Sequence, residues 1–343
     1  MTEKPIVLIS SPLEEEHVAR IRAAAGDRVQ VVHEPDLLPK PRYIADHKGA
    51  PRTLTPEILN RWSALLAKAD ILFDFDLIDP ANMPRNAPKL RWVQATSSGI
   101  GEFLKKTGLD KSAITFTTAA GVHSRALAEF SMLGLLYFFR DVPFHNRRKQ
   151  EKHWERYTVR GLAGSRVLVI GLGAVGRACA RDAALFGMDV WGLSRTPGPA
   201  PEGVSRVIVK SELREALSQI DALILACPLT AETEGMIGRT EIAALKPGAV
   251  LVNVARGAVI DEKALAEALQ SGHISGAALD PFTVEPLPKE SPLWELPNVI
   301  VSPHSASTVA AENGRIVDIF LDNLDRFLSG RPMRNKFEPA RGY

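Results

Sequence analysis

The chain has 343 residues, enough for two domains of ordinary size. Hydrophobic residues make up 45% and charged residues 24%, which excludes a disordered or fibrous chain. With 42 basic and 40 acidic residues the formal charge is +2, so charge implies neither nucleic acid nor a membrane surface as partner. The densest basic stretch, Arg147-Arg148-Lys149, is followed at once by Gln150 and Glu151 and reads as a solvated helix end. Cys179 and Cys227 both lie in apolar surroundings and read as buried small hydrophobes, not as a disulfide or a metal site. No signal-peptide pattern precedes the first apolar run, and residues 130–139 give about half of the roughly 20 apolar residues that cross a bilayer. A soluble, cytoplasmic protein without bound metal is expected.

The first third alternates short apolar runs with helix-length stretches. Residues 6–9, 29–32, 71–73, 90–94 and 114–117 are bounded by turn residues and predict the strands of a parallel α/β unit. Residues 35–56 carry Pro35, Pro39, Pro41, Pro51 and Pro56 and predict a surface excursion rather than a regular element. Residues 122–142 predict one long helix, apolar on most faces and therefore buried between domains or between subunits. A second set follows, with strands at 166–170, 189–193, 222–226, 250–254, 277–279 and 299–301, six in all, which make a doubly wound sheet. An amphipathic helix over 310–328 closes the chain. The economical arrangement is an α/β protein of two Rossmann-like, doubly wound parallel-sheet domains. Residues 1–121 with 306–343 form one, and 122–305 form the other.

Val167-Leu168-Val169-Ile170 runs directly into Gly171-Leu172-Gly173-Ala174-Val175-Gly176 and then into a helix. A GxGxxG string is weak evidence in a chain with 25 glycines, but its place between strand and helix is what a phosphate cradle requires. Gly171 permits the tight turn, Gly173 lets the backbone approach a pyrophosphate, and Gly176 lets helix and strand pack closely. The amides of the helix start, Ala174 and Val175 among them, receive the negative charge. After the next strand an NAD-binding domain would place an Asp or Glu to hold the ribose hydroxyls. This chain has Ser194-Arg195-Thr196, a guanidinium flanked by two hydroxyls, which suits a 2′-phosphate. NADP(H) is the expected cofactor, with NAD(H), bound through other groups, as the alternative.

Three charged groups follow the ends of apolar strands, where an open α/β sheet presents its ligand crevice. Arg256 follows residues 252–255, Asp280 and then Glu285 follow 277–279, and His304 follows 299–303. Each alone could be a surface, loop or capping residue. Together they supply what hydride chemistry on a keto acid needs. A fixed cation holds the carboxylate and polarises the carbonyl. An imidazolium gives a proton to the forming alkoxide. A carboxylate beside the imidazole favours its protonated form and fixes its tautomer. Pro281, Pro286 and Pro303 stiffen the turns.

From about residue 162 to 308 the sequence resembles the D-isomer-specific 2-hydroxyacid dehydrogenase family. The resemblance rests on the glycine motif, PLTAETEGMIG (228–238), KPGAVLVNVARGAVID (246–261), GAALDPF (276–282), EPLP (285–288), SPLW (291–294) and PNVIVSPH (297–304). It implies that Arg256, Glu285 and His304 are the catalytic residues and that Asp280 holds the nicotinamide carboxamide. It also implies that Cys227, Pro228, Thr233, Ala255 and His304 contact the dinucleotide. The family's substrate-carboxylate loop resembles Thr96-Ser97-Ser98-Gly99-Ile100, with the amides of Ser98 and Gly99 binding the acid together with Arg256. An Asp often follows that loop in the family; here Gly101 stands. The resemblance further implies an interdomain cleft that closes over substrate. It implies too a homodimer formed through the helix near 122–142, with the arm at 145–154 reaching the partner's cleft. The expected reaction is NADPH-dependent reduction of a small 2-keto acid, glyoxylate- or hydroxypyruvate-like or broader, to the D-2-hydroxy acid. Formate oxidation is disfavoured because that branch carries Gln where Glu285 stands. A dinucleotide-sensing, corepressor-like binding protein of the same fold is the alternative from another class. Before residue 90 the resemblance is thin, and residues 35–56 have no assigned counterpart.

Overall fold

The computed structural model describes residues 4–195 and 198–342. The chain separates into two compact units, Met1–His123 with Thr308–Tyr343, and Ser124–Ser307. The sequence reading placed these crossings at 121/122 and 305/306.

The first unit holds five parallel strands: β1 Ile6–Ile9, β2 Gln30–Val32, β3 Ile71–Phe73, β4 Trp92–Gln94 and β5 Thr115–Thr117. Their order is β2-β1-β3-β4-β5, so the chain reverses direction across the sheet between β1 and β3. Both faces of this sheet are covered, which is why β3 is apolar at every position. Val7, Ile9, Ile71, Phe73 and Trp92 pack against helices Glu15–Ala25 and Glu312–Leu328. Phe320 of the latter stacks on Trp92 at 5.2 Å and meets Phe73 edge-on at 5.3 Å. Leu8, Leu72 and Val93 pack on the opposite side with Trp62 and Leu66 of helix Pro56–Leu66. That helix starts where the sequence directs it: Thr55 Oγ1 accepts from Ile58 N, and Pro56 occupies the first helical position.

The proline-rich stretch contains only a short 3₁₀ turn, Pro35–Leu37, as expected. It is not a mere surface excursion, however, because Leu37, Leu38, Ala45 and Asp46 are buried. The Asp46 carboxylate gathers the stretch, accepting from Arg42 N and Nε at 3.0 and 2.7 Å and from Gly49 N at 3.0 Å. The Arg42 guanidinium bonded to it outweighs the effect of burial and holds that carboxyl well below the usual range.

The second unit holds β6 Arg166–Ile170, β7 Asp189–Leu193, β8 Arg206–Ile208, β9 Ala222–Leu225, β10 Ala249–Asn253, β11 Ile274–Leu279 and β12 Val299–Val301. All pair in parallel in the order β12-β11-β10-β9-β6-β7-β8. Among the described residues there are therefore seven strands rather than the expected six. β8 is a three-residue edge strand, too short to carry a period that sequence reading could detect.

The long helix also differs from expectation. It runs Ser124–Phe139 and breaks, and a second helix spans Val142–Gln150. At the break Asp141 has φ 52°, and Pro143 cannot donate to the preceding turn. The apolar face of Ser124–Phe139 is buried within its own unit: a Cβ on Gly134 would fall 2.6 Å from that of Ala278 on β11. Leu133, on this helix, is 52% exposed, so the helix is not enclosed on all sides. Among the described residues no helix is long and apolar enough to cross a membrane.

Candidate active site

In the second unit the strand order reverses between β6 and β9, and the residues singled out above follow the carboxyl ends of β6, β7 and β9 through β12. β6 leads into the glycine turn. Gly171 has φ 94°, and a Cβ there would fall 2.7 Å from Cys227 Cα, so the turn lies against the end of β9. A Cβ on Gly176 would fall 1.8 Å from the Gly171 carbonyl oxygen, which makes this position a packing requirement. A Cβ on Gly173 would meet nothing within 4 Å. The backbone there is open to a ligand, and Gly173 caps helix Ala174–Leu185 with no side chain in front of its amides. This cradle fits a pyrophosphate. Ser194 N donates to Ile208 O at 3.1 Å, Arg195 is exposed, and Thr196 lies outside the described residues.

The turn after β9 is organised by Thr233, whose Oγ1 donates to Pro228 O at 2.7 Å and accepts from Thr230 N at 2.8 Å. Cys227 is buried, and burial pushes its thiol up to about 11, which keeps it protonated and unsuited to act as a nucleophile. Cys179 is likewise buried and free.

Three strand ends converge on the charged set. After β10, Asn253 Oδ1 accepts from Ala255 N at 3.0 Å and its Nδ2 donates to Arg256 O at 3.1 Å, which fixes the turn that presents Arg256. Arg256 Nη1 donates to Ala255 O at 2.7 Å. The next residue, Gly257, lies so close to the segment after β11 that a Cβ would fall 2.0 Å from the Phe282 carbonyl carbon. Asp280, 2% exposed, ties β11 to the loop after β12: its Oδ1 accepts from Ser302 Oγ at 2.7 Å and Ala306 N at 2.9 Å. His304 N donates to Asp280 O at 3.0 Å. Held this way, His304 takes φ 53°, the left-handed region that a non-glycine residue occupies only under constraint. Its Nδ1 lies 3.0 Å from each oxygen of Glu285, and Glu285 Oε1 also accepts from Phe282 N at 3.0 Å. The pair is part-exposed, with side chains 42% and 39% accessible.

In the first unit, Ser98 is half-buried and Gly99 exposed on the loop after β4. A Cβ on Gly101 would fall 2.1 Å from the Gly342 carbonyl oxygen, so the C-terminal segment excludes any side chain there. Sequence reasoning missed a further polar group in this unit: Asp74, His47, His123 and Glu312. His123 follows β5 as His304 follows β12, and the strand-end rule could have found it. Nothing local marks His47 or Glu312.

Residues 132–306 match the family model described as D-isomer specific 2-hydroxyacid dehydrogenase, NAD binding domain. A glyoxylate reductase of Thermococcus gammatolerans is 32% identical over 339 residues, covering 95% of this chain and 94% of that one. A D-isomer specific 2-hydroxyacid dehydrogenase from Xanthobacter autotrophicus Py2, solved with NADPH and MES, superposes with a TM-score of 0.81. It is 30% identical and covers 99% of this chain and 100% of that one. An NADPH-dependent glyoxylate/hydroxypyruvate reductase from Sinorhizobium meliloti, solved with NADP and sulfate, gives a TM-score of 0.79. Its identity is 25%, with 99% of this chain and 100% of that one covered.

Proposed function

Because the chain belongs to the D-isomer specific 2-hydroxyacid dehydrogenase family, we propose that it reduces a small 2-keto acid of the glyoxylate or hydroxypyruvate class to the D-2-hydroxy acid, with NADPH as reductant. The observation that carries this reading is the His304–Glu285 pair, with both carboxylate oxygens 3.0 Å from Nδ1. Glu285 occupies Nδ1 and leaves Nε2, across the ring, to give a proton to the substrate oxygen. The nicotinamide, when bound, supplies the hydride that adds to C2. Arg256 holds the acid's carboxylate and polarises its carbonyl. The amides of Ser98 and Gly99 are assigned to the same carboxylate.

Gly171, Gly173, Ala174, Val175 and Gly176 hold the pyrophosphate, and Asp280 accepts from the carboxamide. Cys227, Pro228, Thr233 and Ala255 wall the cofactor site. Ser194, Arg195 and Thr196 take the 2′-phosphate, and the absence of a carboxylate at these three positions supports NADP(H) over NAD(H). A homodimer through helix Ser124–Phe139 belongs to the same reading.

The test is a panel of 2-keto acids followed by NADPH and NADH consumption. Glyoxylate or hydroxypyruvate should be turned over with the higher kcat/KM for NADPH, and Arg195→Asp should shift the ratio towards NADH by roughly 10-fold or more. Dinucleotide binding without turnover of any acid would instead mark a sensor.

A further inference from the structure

Four side chains of the first unit that the proposed reaction leaves unused form one connected set behind the loop at 96–100. Ser98 Oγ donates to Ala119 O at 3.1 Å and lies 3.0 Å from His123 Nδ1. His123 Nε2 lies 3.2 Å from Glu312 Oε1. His47, delivered by the Asp46-centred turn of the proline-rich stretch, places Nε2 3.5 Å from that same oxygen, at ion-pair distance.

Glu312 is 5% exposed and opens helix Glu312–Leu328, whose N-terminal amides favour a carboxylate. Burial pushes its carboxyl upward, but the bonds and charges of His123 and His47 outweigh this and hold it at about 2. For His47 burial acts downward, and Glu312 and Asp74 outweigh it and raise the imidazole above its ordinary value. An ionised Glu312 can only accept, so His123 Nε2 donates to it and Nδ1 faces the Ser98 hydroxyl, whose one hydrogen lies between Ala119 O and His123 Nδ1. Among the described residues no group of His, Cys, Asp and Glu is arranged to hold a metal ion, so the set acts by hydrogen bonds and charge.

The start of the loop is tied separately. Asp74, at φ 73° directly after β3, accepts from Thr96 Oγ1 at 2.9 Å and lies 3.4 Å from Thr96 N. With no side chain admitted at Gly101, the side-chain ties that orient the loop are Thr96 to Asp74 and Ser98 to Ala119 O and His123, beside the backbone bond from Ala119 N to Ser97 O at 3.1 Å.

We propose that Glu312, flanked by His123 and His47, is a positioning residue for the substrate carboxylate. It orders His123, which fixes Ser98 and with it the amides of Ser98 and Gly99. The inference rests on the reading of 96–100 as the carboxylate loop. Such a loop holds the acid alike before and during hydride transfer, so loosening it raises KM and leaves kcat nearly unchanged.

The experiment measures glyoxylate KM, kcat, NADPH Kd and Tm for the full chain carrying Ser98→Ala, His123→Ala, His123→Asn, Glu312→Gln, or Ser98→Ala with His123→Ala. Glu312→Gln and His123→Ala should each raise KM roughly 10-fold or more while kcat and NADPH Kd stay within about 2-fold. His123→Asn, whose amide reaches the Nδ1 position, should recover most of the loss. The double variant should be no worse than Ser98→Ala alone, since both act through one hydroxyl. If Glu312→Gln does not fold, the His123 variants decide. Unchanged KM in His123→Ala, additive effects in the double variant, or a parallel fall of kcat and Tm without rescue by Asn would overturn the proposal. If Ser98→Ala itself leaves KM unchanged, the hydroxyl does not order the loop and the proposal falls; the carboxylate-loop reading, which uses backbone amides, falls instead if Gly99→Pro, which removes one of them, leaves KM unchanged.

Discussion

His304 shows how a single residue can be set by its surroundings. Its backbone is held at φ 53° by Asp280 O and its ring by Glu285, so the one segment after β11 grips this residue at both ends. Removing the ring removes the proton donor but not the binding groups. His304→Ala should therefore lower kcat for keto-acid reduction by roughly 10²- to 10⁴-fold with little change in NADPH Kd. Arg256→Ala should damage KM as well, because a carboxylate clamp acts before the transition state as well as in it. Steady-state kinetics of the two variants check this, and near-native kcat in His304→Ala would sink the acid–base assignment. Arg256, Glu285 and His304 were legible in the sequence because each follows an apolar strand run. Their mutual geometry was not. That Asp280 Oδ1 is committed to Ser302 and Ala306, leaving Glu285 to face the imidazole, depends on how the loops after β11 and β12 fold against each other.

At the scale of the element, the turn between β6 and helix Ala174–Leu185 separates two uses of glycine that look alike in sequence. Gly176 has no room, since its Cβ would lie 1.8 Å from the Gly171 carbonyl oxygen, whereas the Cβ of Gly173 would meet nothing within 4 Å. Gly176→Ala should accordingly lower Tm by several degrees and weaken NADPH together, as the helix start shifts. Gly173→Ala should leave Tm within about 2 °C yet raise NADPH Kd roughly 10-fold or more, because the methyl group occupies ligand space and not protein space. Thermal melts with fluorescence titration distinguish the two, and an equal loss of Tm in both would count against the cradle reading. The strand–turn–helix pattern was readable because it is local. The break at Asp141 and the edge strand β8 were not: one is set by a left-handed residue beside Pro143 inside an apolar run, the other is only three residues long.

Across the whole molecule, the buried charges of the first unit give stability a pH signature. Glu312 falls from an ordinary 4.5 to about 2, so its contribution is complete above 4.5 and is lost as pH drops towards 2. His47 is raised above an ordinary 6.5, so its contribution is complete below 6.5 and is lost as pH climbs through the raised value. The two overlap between 4.5 and 6.5. The stability difference between the native chain and Glu312→Gln, read from urea midpoints, should peak in that window and shrink on either side. A difference flat in pH would refute the charge pairing. By itself the sequence determined the α/β class, the phosphate cradle and the strand-end charges, because each is written in a period or in adjacent residues. Only the tertiary structure decided that Glu285 faces His304, that the C-terminal segment closes the space at Gly101, and that positions 47, 123 and 312 meet around one carboxylate. Those contacts join residues with no common local pattern, and only the parallel sheet order and the packing of a distant helix against it bring them together.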